Sequence, residues 1–225
     1  MKQSNTWIVI PVYNEAKYLG NFLGKLTKIE KKFIVVDDGS TDKTSTIAKK
    51  YSKHVIVNDC NRGKGAAMRQ GAEYAFNSLN AQAVIFMDGD DQHHPEDLQK
   101  FYNLLAENKY DLIFGARRFG TEMPLIRMIG NRIASFLVYL FYGKFIYDIP
   151  SGFKAMTKKC FNKVYWHYND YSVEMEIAVK TIVHKVKYTQ TDISTIYHNM
   201  DRGMQMDAVW KMALRLCKWK VLGIK

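Results

Sequence analysis

Three acidic groups in the first half of this chain share one setting. Asp88-Gly89-Asp90-Asp91-Gln92, Asp37-Asp38 and Glu15 each stand directly after a short apolar run. Carboxylates gathered at one edge repel one another in water. They make sense together if they bind cations, sugar hydroxyls or both. Asp88 and Asp90 are one glycine apart, which lets both carboxylates reach one divalent cation. Hard oxygen donors suit Mg²⁺ or Mn²⁺, which keep open positions for diphosphate oxygens. An Asp-x-Asp is common by chance and Asp-Gly is an ordinary turn. The apolar run before it is what gives this one weight.

A second candidate is Asn61-Arg62-Gly63-Lys64-Gly65-Ala66-Ala67. Small residues let a backbone approach a ligand, and Arg62 and Lys64 add charge. The glycine spacing before Lys64 is not that of a phosphate-binding P-loop, and Met68 breaks a GxGxxG pattern. Alone it reads equally well as a glycine-rich helix start. His93-His94 could be metal ligands, although His94 before Pro95 reads better as a helix start. Glu174 and Glu176 are two apart, so on a helix they face different ways. Glu174 is the better candidate to line a cleft, and Glu176 is expected in solvent.

These groups need a scaffold that brings them together. Apolar runs at 7–12, 33–36, 54–57, 83–87 and 112–115 read as buried strands. Between them lie helix-length stretches at 17–26, 42–51, 65–79 and 95–105. Leu19, Phe22, Leu23 and Leu26 recur at helical spacing in the first, and Pro95 opens the last. The alternation predicts a mostly parallel sheet with helices on both faces. Such sheets bind ligands beyond the carboxyl ends of their strands. The acidic groups fall there.

Composition sets the outer limits. The 225 residues carry 33 Lys/Arg against 22 Asp/Glu, a net charge of +11, and 47% hydrophobic residues. This is ordinary globular composition, which excludes wholesale disorder and a disulfide scaffold. Cys60, Cys160 and Cys217 show no paired spacing, so a zinc site is not expected and a reducing compartment is. Residues 1–116 are nearly neutral at net +1, whereas 117–225 carry net +10. A lopsided basic surface implies an anionic partner. No basic-aromatic nucleic-acid motif is present and the sheet edge is acidic, so no nucleic-acid partner is expected.

Four ordered motifs carry a family resemblance: Pro11-Val12-Tyr13-Asn14-Glu15, Asp37-Asp38-Gly39-Ser40-Thr41-Asp42, Asn61-Arg62-Gly63-Lys64-Gly65 and Asp88-Gly89-Asp90. Together the chain resembles the family 2 glycosyltransferases, which have the GT-A fold. The stretch from Asp88 to Glu96, Gly115-Ala116-Arg117 and Asp148-Ile149-Pro150-Ser151-Gly152-Phe153-Lys154 are similar to segments of dolichyl- and polyprenyl-phosphate mannose synthases. Ala116 departs from that pattern. The likeness covers roughly residues 5–210.

The resemblance implies an α/β GT-A fold and an inverting hexosyltransferase. Its donor would be GDP-mannose or a UDP-sugar, and its acceptor a polyprenyl or dolichyl monophosphate. Pro11, Tyr13, Glu15, Val36, Asp37, Asp38 and Lys64 would hold the nucleotide. Asp88, Gly89, Asp90 and Gln92 would hold the donor diphosphate, with Asp88, Asp90 and Gln92 around Mg²⁺ or Mn²⁺. Arg117, Arg127, Arg132, Ser151 and Arg202 would bind the acceptor phosphate. Asp90 and Arg117 would serve catalysis directly. A lipid phosphate is already ionised and needs no general base, whereas a saccharide hydroxyl does. Asp91 is the candidate base for that alternative, an enzyme extending a cell-surface glycan.

Residues 1–205 are thus expected to form the catalytic domain, with a nucleotide-sugar half to 116 and an acceptor half from 117. Residues 206–225 read as a basic amphipathic helix, with Val209, Met212, Leu216 and Trp219 along one face. It could lie on an anionic membrane, as could the aromatic stretch 126–147, or each could pack on the domain. No apolar run reaches the roughly 20 residues of a membrane-spanning helix, and no signal peptide is read. A peripheral position on the cytoplasmic face of a membrane is expected.

Overall fold

The computed structural model describes residues 5–117, 125–196 and 206–224, with 125–130 and 206–213 described by backbone alone. Among them is one seven-stranded sheet in the order β3-β2-β1-β4-β6-β5-β7. The strands are β1 Thr6–Val12, β2 Phe33–Asp37, β3 Val55–Val57, β4 Ala83–Phe86, β5 Leu112–Arg117, β6 Lys154–Thr157 and β7 Tyr188–Ile193. β6 runs antiparallel to β4 and β5, and every other pairing is parallel.

Four of the five predicted strands form because they bury both faces, while β3, at the sheet edge, stays partly exposed. In β1, Ile8 and Ile10 point to one side and Val9 to the other, as the period of two requires. Helices α1 Ala16–Leu26, α2 Thr44–Tyr51 and α4 Leu98–Ala106 cover one face. Helices α3 Lys64–Ser78, α5 Leu125–Tyr142, α6 Lys158–Val164, α7 Val173–Val183 and α8 Met206–Leu222 belong to the other. A single 3-10 turn, Pro95–Asp97, precedes α4 where Pro95 was expected to open a helix.

The chain leaves β1 toward β2 and β3, then returns to place β4 on the other side of β1. That reversal between β1 and β4 is the switch point where sheets of this kind leave a crevice. β6 and β7 were not foreseen. β6 is only four residues long and contains Lys154, which does not read as an apolar run. Because β6 wedges between β4 and β5, one sheet runs continuously through residues of both halves.

Two helices close the far side. α5 and α8 pack on one another. α5 buries Asn131, Ala134, Ser135 and Val138 and leaves Phe136, Tyr139 and Leu140 exposed. In α8, Leu216 and Trp219 are buried, and Leu214, Val221 and Leu222 are exposed. The apolar face foreseen for α8 therefore packs on the protein at Leu216 and Trp219. The side chains of Val209 and Met212 lie outside the described residues. No helix among the described residues is long and apolar enough to cross a membrane.

Candidate active site

The crevice at the switch point is a cavity of about 390 Å³. β1 supplies Pro11 and Val12, with Tyr13 and Glu15 beyond it. The segments after β2, β3 and β4 supply Asp38, then Asn61 and Gly63, then Asp88, Gly89 and Asp90. Lys64 and Ala67 enter from α3, and Asp170 and Tyr171 from the loop before α7. Segments distant in sequence converge because parallel strands end on one edge. The turn at 13–15 is fixed to the loop after β2: Asn14 N donates to Ser40 Oγ and Glu15 N to Thr44 Oγ1, each at 2.9 Å.

Asp38 organises the glycine-rich loop. Its carboxylate accepts from Gly63 N at 2.7 Å, Arg62 N at 3.0 Å and Asn58 Nδ2 at 2.9 Å. Gly63 has φ +96°, and a Cβ there would lie 2.4 Å from the Asn169 carbonyl oxygen, so only glycine fits. Gly65 N donates to that same oxygen at 2.6 Å, and Ala66 N and Ala67 N both bond Gly63 O. These first-turn amides of α3 are therefore taken. The charge an anion meets here comes from Lys64 Nζ, aided by the helix dipole.

Asp88 sits in a web of charge. Lys64 Nζ lies 2.7 Å from its Oδ1 and His93 Nε2 3.5 Å from its Oδ2. Burial alone would raise its pKa, but the Lys64 ammonium and the His93 ring outweigh burial and hold the carboxyl well below the usual range. Burial and the adjacent Asp88 charge push Asp90 the other way. Gly152 closes the floor, because a Cβ there would fall 2.2 Å from Asp88 Oδ2. Lys64 also reaches Glu174 Oε1 at 3.3 Å, and Lys154 Nζ contacts Glu174 Oε2. Lys154 is wholly buried; burial first, then the Lys64 charge, push its ammonium down to about 7.

No group of three His, Cys, Asp or Glu side chains among the described residues is arranged to hold a metal ion. The protein offers two carboxylates, of which Asp90 resists ionisation beside Asp88, with the Lys64 ammonium drawn against Asp88. That fits a hard divalent cation which takes one or two carboxylates and completes its shell with ligand phosphates and water.

Other expected residues are placed less directly. Val36 is buried in the core and Asp37 is wholly buried beneath the edge, with Oδ1 accepting from Ser40 N. Neither lines the cavity, so side-chain contact with a ligand is not their part. Gln92 is half-buried, and its N donates to Asp90 Oδ1 at 3.1 Å. Asp91 turns away: its carboxylate accepts from Lys25 Nζ at 3.0 Å and from Asn21 Nδ2, both on α1. Glu176 is not solvated as expected. It is buried, paired to Lys180 at 3.0 Å, and accepts from His167 N and Tyr168 N.

The basic acceptor set also differs from expectation. Arg117 forms a two-pronged pair with Asp148, Nε to Oδ2 at 2.7 Å and Nη2 to Oδ1 at 2.8 Å. Asn131 Nδ2 donates to the same carboxylate at 3.1 Å. Arg117 is thus a partner for a buried acid before it is a partner for any ligand. Ser151 is buried, with Oγ accepting from Phe153 N. Arg132 is exposed on α5. The Arg127 side chain and all of Arg202 lie outside the described residues. Glu174, expected to line a cleft, is buried against Lys64 and Lys154, whereas Lys154 and Gly152 are site residues that residue-type reasoning missed. Lys154 and Gly152 stood inside the motif ending at Lys154, and that was their only signal.

A sheet whose switch point gathers a carboxylate edge, a lysine and a glycine-rich loop is the arrangement that the GT-A resemblance implies. Residues 7–166 match the family described as Glycosyl transferase family 2, and the chain belongs to that family. A UDP-N-acetylglucosamine–dolichyl-phosphate N-acetylglucosaminyltransferase of Methanococcus voltae is 28% identical, over 96% of each chain. A dolichyl-phosphate hexose transferase of Haloferax volcanii is 30% identical, over 72% of this chain and 70% of its own. Among solved structures, glucosyl-3-phosphoglycerate synthase from Mycobacterium tuberculosis, in complex with Mn²⁺, UDP and glucosyl-3-phosphoglycerate, has the same fold. Its TM-score is 0.75 at 17% identity, covering 97% of this chain and 79% of that one.

Proposed function

We propose that this enzyme moves a hexose from a nucleotide-diphosphate sugar to a polyprenyl or dolichyl monophosphate at a membrane surface, inverting the anomeric centre. One observation carries the reading: Asp88, Asp90 and Lys64, the last paired to Asp88 at 2.7 Å, together line the cavity of about 390 Å³ at the switch point. Tyr13 and Glu15 would flank the nucleoside, and Lys64 would leave Asp88 for the diphosphate. A divalent Mg²⁺ or Mn²⁺ held by Asp88 and Asp90 would neutralise charge on the departing diphosphate. The named activities of the relatives support the lipid-phosphate acceptor, and UDP is the nucleotide in the solved neighbour.

The position of Asp91 also favours that acceptor. The candidate base is engaged by α1 outside the cavity. A phosphate monoester brings its own anionic oxygen and requires orientation rather than deprotonation. The exposed Phe136, Tyr139, Leu140, Phe145 and Tyr147, with Arg132 and Lys144 among them, would rest on an anionic membrane. Three unpaired cysteines suit the reducing, cytoplasmic face. The test is transfer from a panel of radiolabelled UDP- and GDP-sugars, with Mg²⁺ or Mn²⁺, to a short polyprenyl phosphate. An organic-extractable product from one donor supports the reading and names the sugar. Metal-dependent donor hydrolysis without lipid product would redirect the acceptor to a saccharide.

A further inference from the structure

The wall of the cavity is tied to the C-terminal helix. Loop 165–172, between α6 and α7, supplies Asp170 and Tyr171 to the lining. Its first part is fixed by the domain itself. Arg69 donates to Trp166 O at 3.1 Å and Asn169 Oδ1 at 2.9 Å, and Glu176 accepts from His167 N and Tyr168 N. Asp170, which lines the cavity beside Tyr171, and the buried Ser172 are held from outside by α8. Arg215 donates from Nη1 and Nη2 to Asp170 Oδ2, each at 3.1 Å, and Nη1 also contacts Ser172 Oγ. The guanidinium lies 4.5 Å from the Tyr168 ring centre, and Trp219, one turn on, meets that ring edge-on at 5.4 Å.

An exposed ion pair alone adds little. This one is two-pronged, stacked on an aromatic face and backed by a buried tryptophan, which fixes its geometry. The loop it fixes also locks the glycine-rich loop, through Gly65 N to Asn169 O and Trp166 Nε1 to Gly65 O at 2.8 Å. Meanwhile Leu214, Lys218, Val221 and Leu222 form an exposed outer stripe on α8. The inner face holds the loop and the outer face is available to a surface, with no side chain shared between them.

We infer that Arg215 is a positioning residue for the nucleotide cavity: α8 clamps loop 165–172 through it, and nucleotide affinity follows the seat of that helix. The inference rests on reading the cavity as the donor site. The experiment pairs two readouts on the full chain. Amide hydrogen exchange follows peptides over 165–172 and 61–66, with peptides over β1 and β2 as reference. Calorimetry measures UDP and GDP binding in the presence of Mn²⁺. In Arg215→Ala, exchange over 170–172 should rise about tenfold with β1 and β2 unchanged. The Kd of the nucleotide bound by wild type should rise about fivefold, and kcat at saturating donor should stay within about twofold. Arg215→Lys, which keeps the charge but not the fork, should fall between, and decides the matter if Arg215→Ala loosens β1 and β2 as well. Unchanged exchange over 170–172 overturns the clamp. Faster exchange with unchanged Kd overturns the coupling. A wild type that binds neither UDP nor GDP overturns the donor reading and the coupling with it, while the exchange data still report on the clamp.

Discussion

The cavity edge and the opposite, basic half treat charge in contrary ways. At the edge, Asp88 and Asp90 are like charges kept close together, with one lysine between them and the next acid. In the basic half, opposite charges are consumed in pairs: Arg117 with Asp148, Lys154 with Glu174 and Lys180 with Glu176. The first arrangement is electrostatically unfinished and invites a cation and a phosphate. The second is closed at Arg117–Asp148 and Lys180–Glu176, whose ions hold the fold, while Lys154–Glu174 borders the edge through Lys64. A net charge of +10 in a stretch of sequence therefore does not say how much of that charge faces outward.

If this contrast is right, substitutions at the edge should cost rate, and substitutions in the closed pairs should cost stability. Asp88→Asn should lower transfer at least about a thousandfold, some 4 kcal/mol of barrier, with a urea midpoint near wild type. Arg117→Ala leaves Asp148 buried with only hydrogen-bond partners and should lower unfolding free energy by about 3–5 kcal/mol in urea titrations. A smaller loss there would mean that Arg117 is freer than its pairing suggests. Gly152→Ala pushes a methyl into the Asp88 carboxylate and should cut transfer about a hundredfold, with the fold retained by circular dichroism.

The smallest effect is the most discriminating. Burial and Asp88 raise the pKa of Asp90, so its ionised form is disfavoured in the fold. Below the unfolded carboxylate pKa both states are protonated and nothing is lost. As pH rises through the folded pKa, the metal-free protein loses stability relative to a neutral side chain. Asp90→Asn should therefore raise Tm at pH 7 in chelator, have no such effect near pH 3, and abolish the Tm rise that Mn²⁺ gives the wild type. A lower Tm in chelator would show that the carboxylate pair is not under repulsion.

What could be read in advance follows the same divide. Five apolar runs and the loops after them were legible because a parallel strand buried on both faces must be apolar, and its ligand residues must follow it directly. Asp38, Lys64, Asp88 and Asp90 reach the cavity by that logic. β6 and β7 were hidden because Lys154 interrupts one and the other, Tyr188–Ile193, is polar and half-exposed. Asp91 and Glu176 show the other limit. Sequence places a carboxylate beside a motif, but only the fold shows that Asp91 turns to Lys25 and Glu176 to Lys180. Arg117 was legible as a cation and not as the partner of Asp148, 31 residues away.

The most direct test of the central claim is a side-by-side transfer assay. Wild type and Asp91→Asn would be given the sugar nucleotide that the donor panel selects, Mn²⁺ and a short polyprenyl phosphate, and organic-extractable label would be counted at early times. The expected result is lipid-linked sugar from both proteins at rates within about threefold, because the acceptor brings its own anionic oxygen. A thousandfold loss in Asp91→Asn, with its fold intact, would contradict the claim and make Asp91 the base for a hydroxyl acceptor.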